Sequence, residues 1–163
     1  MTRFQNKIVL ITGAGSGIGR STALRLDKEG ATSIIVDMNA EQLTETHLML
    51  SNPESTLRVL DISSLDDAKK CFQEIKETHN QLDALINVAG ILRFDNSHEV
   101  EISNWNKILE VNLTGTFFMC NFGLPMLLES KGCIVNVSST AALGSHAWTA
   151  AYSASKGGIS AFS

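Results

Sequence analysis

Five short apolar runs rich in Val, Ile and Leu recur along the chain, at Lys7 to Thr12, Ser33 to Asp37, Leu57 to Asp61, Ala84 to Val88 and Cys133 to Val137. Each has the length and near-continuous apolar character of a strand buried on both faces. Segments of helical period separate them, at Gly17 to Glu29, Ala40 to Leu50 and Leu65 to Thr78, with a long one from Asn104 to Leu128 that Ser103 is placed to cap. Strands alternating with helices need crossover connections, and these are right-handed. The pattern therefore predicts an α/β chain with a doubly wound parallel sheet covered by helices on both faces. No linker, repeat or low-complexity tract interrupts it, Pro53 marks a loop, and residues 1–163 read as one domain.

Composition narrows the partners. With 44% hydrophobic residues the chain can bury a sizeable core, and a net charge of -4 without any Lys/Arg run argues against nucleic acid and anionic lipid. Small molecules are the expected partners. Cys71, Cys120 and Cys133 are odd in number and widely spaced, which suggests neither a disulfide framework nor a zinc site and fits a reducing cytoplasm. His47, His79, His98 and His146 lack ligand spacing and read as surface or loop residues, so no metal is expected. The start runs into an apolar strand without a signal-peptide pattern. Phe117 to Leu128, the most apolar stretch, is short and broken by Asn121, Gly123 and Pro125, so no membrane crossing is expected.

The first strand ends in Thr12-Gly-Ala-Gly-Ser-Gly-Ile-Gly19 and passes directly into a helix. Bare backbone amides at a helix N-terminus suit a pyrophosphate. The glycines are spaced Gly13-x-x-x-Gly17-x-Gly19, which is neither G-x-G-x-x-G nor a Walker loop, since Ala14 and Arg20 stand where that loop needs glycine and lysine. Eighteen residues after Gly19 the second strand ends at Asp37, whose carboxylate can accept hydrogen bonds from an adenosine ribose and would repel a 2'-phosphate. Met38, Asn39 and Ala40 follow, with no arginine to offset that charge, so NAD is favoured over NADP. Asp61-Ile62 and Asn87-Val-Ala-Gly90 sit at the carboxyl edges of the third and fourth strands, where ligands of such sheets bind.

Tyr152 and Lys156 are four residues apart, one face of a helix if the segment is helical. A phenol ordinarily loses its proton near pH ~10, so proton exchange near neutrality needs a shift of ~3 units, about 4 kcal/mol. A cation about 4 Å away at an effective dielectric of about 20 supplies roughly that. Asn112 falls on a helical stripe with Trp105, Ile108, Leu109 and Thr116, where a polar amide needs partners. Ser139 lies just past the fifth strand, placed either to form a turn or to hold a substrate oxygen.

Taken together, the Thr12 to Gly19 loop, Asp61, Asn87 to Gly90, Asn112, Ser139, Tyr152 and Lys156 resemble the short-chain dehydrogenase/reductase family, with Val88 where that family commonly has a second asparagine. The resemblance implies a three-layer Rossmann-like sheet with strand order 3-2-1-4-5. It implies Tyr152 as general acid or base, Lys156 lowering its pKa and binding the nicotinamide ribose, Ser139 orienting a carbonyl and Asn112 supporting a water-mediated proton relay. Cofactor contacts are implied from Gly13, Ser16, Gly17, Ile18, Gly19, Asp37, Asp61, Ile62, Asn87, Ala89, Gly90, Tyr152 and Lys156.

The implied reaction is hydride transfer between NAD and a secondary alcohol or ketone, with oxidation the expected direction. A 3-oxoacyl-thioester reductase is the alternative in substrate, and a dinucleotide-binding fragment without activity the alternative in function. His146 and Trp148, between Ser139 and Tyr152, are candidates for substrate contact. Family members continue through two further strands, so a C-terminal truncation is expected, leaving the fifth strand as an edge with Ile134, Val135 and Val137 unpaired. The expected final helix is short and weakened by Gly157-Gly158, small residues that in the family pack against a second subunit of a homodimer or homotetramer.

Overall fold

The computed structural model describes residues 2–144 and 146–163. Its strands are β1 (Ile8–Thr12), β2 (Thr32–Asp37), β3 (Thr56–Val59), β4 (Ala84–Asn87) and β5 (Cys133–Asn136), all parallel, in the order β3-β2-β1-β4-β5. The helices are α1 (Gly17–Lys28), α2 (Ala40–Leu48), α3 (Leu65–Thr78), α4 (Ile102–Leu109), α5 (Thr116–Ser130) and α6 (Ala150–Phe162). Alternation along the strands divides the core. Leu10, Ile34, Val36 and Leu85 join Ala68, Cys71, Phe72 and Ile75 of α3 and Met119, Met126 and Leu127 of α5 on one face. Val9, Ile11 and Ile35 join Ala23 and Leu26 of α1 and Leu43 of α2 on the other. Register aligns Thr12 with Val36 and with Asn87, and Asn87 with Asn136, so the strand ends form one carboxyl edge.

Three sequence expectations need correction. The long helix starts at Ile102 with Glu101 before it, and Ser103 lies inside its first turn instead of capping it. The apolar stretch is not short: the expected long helix through Asn121, Gly123 and Pro125 is a continuous run of 29 residues made of α4, a π-helical segment at Glu110–Gly115 and α5, long and apolar enough by composition to cross a membrane. Its Met119, Met126 and Leu127 enter the core, with Gly123 serving as a contact point. A Cβ on Gly123 would lie 2.9 Å from the Phe72 ring, so the missing side chain lets α3 and α5 close. The third strand also ends at Val59 rather than Asp61, which frees Asp61 for the loop beyond the edge.

The final helix is sturdier than its two glycines suggest. α6 runs for 13 residues and buries Ala151, Ser155, Lys156 and Ile159. Gly158 faces this chain's own Leu113, whose Cδ1 would be 2.8 Å from an added Cβ, while Gly157 has nothing within 4 Å. Gly158 is therefore the small residue that lets α6 dock on the π-helical segment within the same chain. At the other flank β5 is the sheet edge. Val135 is exposed, but Ile134 packs on the core, and the Val137 backbone is bonded in both directions: its N–H to the Asn87 carbonyl and its carbonyl to Lys156.

Candidate active site

The glycine loop closes on the fourth strand through two close approaches. Gly13 has φ +67, and a Cβ there would lie 2.7 Å from the Ala89 nitrogen; a Cβ on Gly19 would lie 2.1 Å from the Gly13 carbonyl oxygen. Thr12 fastens the same junction, its hydroxyl oxygen accepting hydrogen bonds from Val88 N at 3.1 Å and Ala89 N at 3.2 Å. Ser16 precedes α1 in extended conformation without a side-chain capping bond, and no residue of the first turn is acidic. The first-turn amides are therefore left free of internal anionic partners, which is what a phosphate site requires.

Above this loop lies a cleft of about 350 Å³, lined by Gly13, Ser16, Gly17, Ile18, Asp37, Asp61, Ile62, Ala89 and Gly90, together with Met38, Gln42, Leu60 and Val111. Nine of the sequence-derived contact residues thus share one concavity. Gly19, Asn87, Tyr152 and Lys156 do not line it. Gly19 stands behind the loop as a packing contact, and buried Asn87 turns its Nδ2 to Asn136 Oδ1 at 2.9 Å and Cys120 Sγ at 3.3 Å, bracing β4 against β5 and α5.

Both carboxylates of the cleft are oriented. Asp37 Oδ2 accepts from Gly15 N at 2.9 Å and Oδ1 from Asn39 N at 3.0 Å. Asp61 Oδ1 accepts from the Ser63 hydroxyl at 2.6 Å and the Ser63 amide at 2.9 Å, and Lys107 Nζ is 3.8 Å from Oδ2. Burial alone would raise the Asp61 pKa, but the Ser63 hydrogen bonds and the Lys107 charge outweigh it and hold the carboxyl below its ordinary value.

At the other end of the cleft, Gly90 brings the polar groups together. A Cβ on Gly90 would lie 3.2 Å from Asn112 Oδ1 and 3.6 Å from Lys156 Nζ. Fully buried Asn112 sits in the π-helical segment and is satisfied on both sides of its amide: Oδ1 accepts from Ile91 N at 2.7 Å, and Nδ2 donates to Ile91 O at 2.9 Å and Ser155 Oγ at 3.1 Å. A π-bulge widens one turn of a helix, and such bulges recur at functional sites. Lys156 is buried with its Nζ 5.8 Å from the centre of the half-buried Tyr152 ring, and donates to the Val137 carbonyl at 2.7 Å. Burial pulls its pKa below that of an ordinary lysine. Ser139 caps a short 3-10 turn at Thr140–Ala142, its Oγ accepting from Ala141 N at 3.2 Å, and that turn packs on α6. Both readings of Ser139 are compatible with this, since the hydroxyl hydrogen is not used by the turn.

His146 and Trp148 are exposed and lie outside the cleft lining; the Trp148 carbonyl accepts from Asp95 N, which ties the segment before α6 to the loop after β4. Sequence reasoning missed Ser155. It donates to the Tyr152 carbonyl at 2.7 Å while receiving Asn112, and so joins α6 to the π-helical segment. Its place next to Lys156 was visible, but its partner 43 residues away was not.

A parallel sheet of order 3-2-1-4-5, with a glycine-lined cleft at its carboxyl edge and a Tyr/Lys helix beside it, defines a Rossmann-type nucleotide-binding protein. Residues 7–163 match the family described as short chain dehydrogenase, and the chain belongs to that family. It is 36% identical over 157 residues to a meso-2,3-butanediol dehydrogenase of Serratia marcescens, covering 96% of this chain and 62% of that protein. It is 38% identical over 163 residues to a 3beta-hydroxysteroid dehydrogenase of Mediterraneibacter gnavus, covering 98% of this chain and 59% of that protein. Among solved structures, an NAD+-bound xylitol dehydrogenase superposes with a TM-score of 0.94 at 30% identity, covering 98% of this chain and 63% of that one. Levodione reductase gives 0.93 at 28% identity, covering 98% and 64%. The chain therefore spans less than two thirds of the length of each of these relatives.

Proposed function

We propose that this chain acts as an NAD-dependent oxidoreductase interconverting a secondary alcohol and a ketone. The observation that carries the reading is the convergence of Asn112 and Lys156 on Gly90, a residue of the cleft wall, with Tyr152 on the same helix face as the lysine. A dinucleotide is supported by the glycine loop that packs bare backbone against the end of β4 and by an α1 N-terminus that carries no competing acid at the cleft. Gly13, Ser16, Gly17 and Ile18 would hold its pyrophosphate, Asp37 and Asp61-Ile62 its adenosine half, and Ala89, Gly90 and Lys156 its nicotinamide half.

Bound nicotinamide supplies a carbon that takes up or returns the two electrons of the alcohol. Tyr152 exchanges the proton of the substrate oxygen, Ser139 donates its free hydroxyl hydrogen to that oxygen, and Lys156 keeps a positive charge beside the ring. Asn112 holds the Ile91 backbone and, through Ser155, the start of α6. The diol, steroid and polyol named for the relatives support a secondary alcohol as the substrate class. Action in the cytoplasm, as a homodimer or homotetramer, belongs to the same reading.

The test is a fluorescence titration of residues 1–163 with NADH, followed by assays on a panel of secondary alcohols. Turnover that vanishes in Tyr152→Phe while NADH still binds supports the proposal. No binding at millimolar cofactor sinks it in favour of an inert fold. In Asp37→Ala the preference should relax toward NADP, and an unchanged NAD/NADP ratio counts against the ribose role of Asp37.

A further inference from the structure

Gly15 stands between two opposite charges. Its N–H donates to Asp37 Oδ2 at 2.9 Å, and its carbonyl accepts from Arg20 Nη2 at 2.5 Å. The same Nη2 also reaches the Gln42 carbonyl at 3.1 Å and Glu45 Oε2 at 3.0 Å, while Nε donates to Thr46 Oγ1 at 2.9 Å. The guanidinium of α1 is thus clamped onto α2, one residue behind the carboxylate that faces the cleft. Both ends of the Arg20–Glu45 pair reach solvent, the side chains being 25% and 53% exposed. Of the four acceptors that hold the guanidinium, the Gly15 and Gln42 carbonyls and the buried Thr46 hydroxyl are neutral, and Glu45 is the charged one.

The carboxylate of Asp37 occupies a place built for an anion. Gly15 N and Asn39 N both point their hydrogens at it. A neutral side chain at position 37 would leave those two donors open to the cleft, where a 2'-phosphate could take them. The cation that should complete such a site is already next door, bonded to Gly15 on the same loop and paired on α2 with Glu45.

We infer that Glu45 is a positioning residue for dinucleotide choice: acting through Arg20, it withholds the guanidinium from the Asp37 end of the cleft, so that two carboxylates, one direct and one indirect, exclude a 2'-phosphate. This rests on the reading of the cleft as an NAD site and adds to it a residue that touches no cofactor. Arg20, Asp37 and Glu45 are the charged groups of the network, with Thr46, Gln42 and Gly15 as its neutral members.

The test compares NADH and NADPH dissociation constants by fluorescence for the wild type, Asp37→Ser, Asp37→Ser with Glu45→Gln, and that double variant with Arg20→Met added. Asp37→Ser should weaken NADH and admit NADPH. Adding Glu45→Gln should tighten NADPH about tenfold further, the value of a charge-assisted hydrogen bond gained. Arg20→Met should remove that gain. Should Asp37→Ser fail to fold, Asp37→Asn carries the same comparison, its single amide oxygen accepting from one of the two backbone donors and leaving the other open. The inference is overturned if Glu45→Gln adds nothing, or if it adds as much with Met at position 20, since charge removal alone then explains it. A wild type that binds NADPH as well as NADH, or neither, overturns the NAD reading and this inference with it; a wild type that prefers NADH without the Glu45 effect overturns only the inference.

Discussion

Lys156 donates its ammonium to the carbonyl of Val137 at 2.7 Å, so that the helix bearing Tyr152 is hooked to the end of β5 by its own buried cation. This bond supplies a partner to the carbonyl just past the edge strand and fixes how far α6 sits from the sheet.

The burial of that cation has a pH signature. The folded pKa of Lys156 lies below its unfolded value of 10.5, because desolvation disfavours the charged form. The unfolded chain therefore binds more protons in this window, and the contribution of Lys156 to stability rises with pH through its folded pKa up to 10.5, and is lost as pH falls. Urea midpoints of wild type and Lys156→Met, measured from pH 7 to 10.5, should show the wild type gaining relative to the variant as pH increases. Parallel curves would contradict the assignment.

Ser155→Ala removes the acceptor for one Asn112 N–H in a fully buried place. An unpaired buried donor costs about 1–3 kcal/mol. A lowered unfolding midpoint and a fall in kcat are expected, the second because Ser155 also holds the Tyr152 carbonyl. Ser155→Thr, which keeps the hydroxyl, should recover part of both.

Gly19→Ala should be worse than Gly17→Ala, although both lie in one loop. A Cβ on Gly19 would fall 2.1 Å from the Gly13 carbonyl oxygen, so the loop must move away from α1, at about 1–3 kcal/mol or more. Gly17 has φ +50 but nothing within 4 Å, and its cost is the left-handed backbone alone, about 1 kcal/mol. Thermal midpoints with and without NADH rank the two variants; the Gly19 variant should also lose the stabilisation NADH gives.

Glu29 is held to a pKa of about 2 by hydrogen bonds from Arg3 and then Arg25, and by their charges, against the opposing effect of burial. Since its ordinary value is 4.5, its contribution is complete above pH 4.5 and is lost as pH falls toward about 2. Glu29→Gln should therefore lower the urea midpoint at pH 6 and flatten the acid limb between pH 4.5 and 2. An unchanged limb would show that this cluster is not what acid breaks.

What could be read from the chain alone was whatever repeats locally. The apolar runs Ile8 to Ile11 and Ile34 to Val36 are continuous because both faces of their strands are covered, and the glycines at 13, 17 and 19 stand where side chains have no room or no allowed φ. Tyr152 and Lys156 could be paired because helical spacing is a local rule. The helix through Pro125 was legible as the helical period from Asn104 to Leu128, but not what holds it: the packing of Gly123 on Phe72 and the burial of Met126 and Leu127.

The sequence by itself determined the alternation of strands and helices, and with it the carboxyl edge to which Gly13, Asp37, Asp61 and Gly90 all come. Tertiary structure decided which way their neighbours face. Asn87 turns into the core, Gly158 meets Leu113 of its own chain, Asn112 finds Ile91 and Ser155, and Arg20 finds Glu45 across two helices. These contacts join residues 20 or more positions apart, and a hydrogen bond or a van der Waals contact of that kind has no period along the chain. It exists only once folding has brought the two surfaces within a few ångströms.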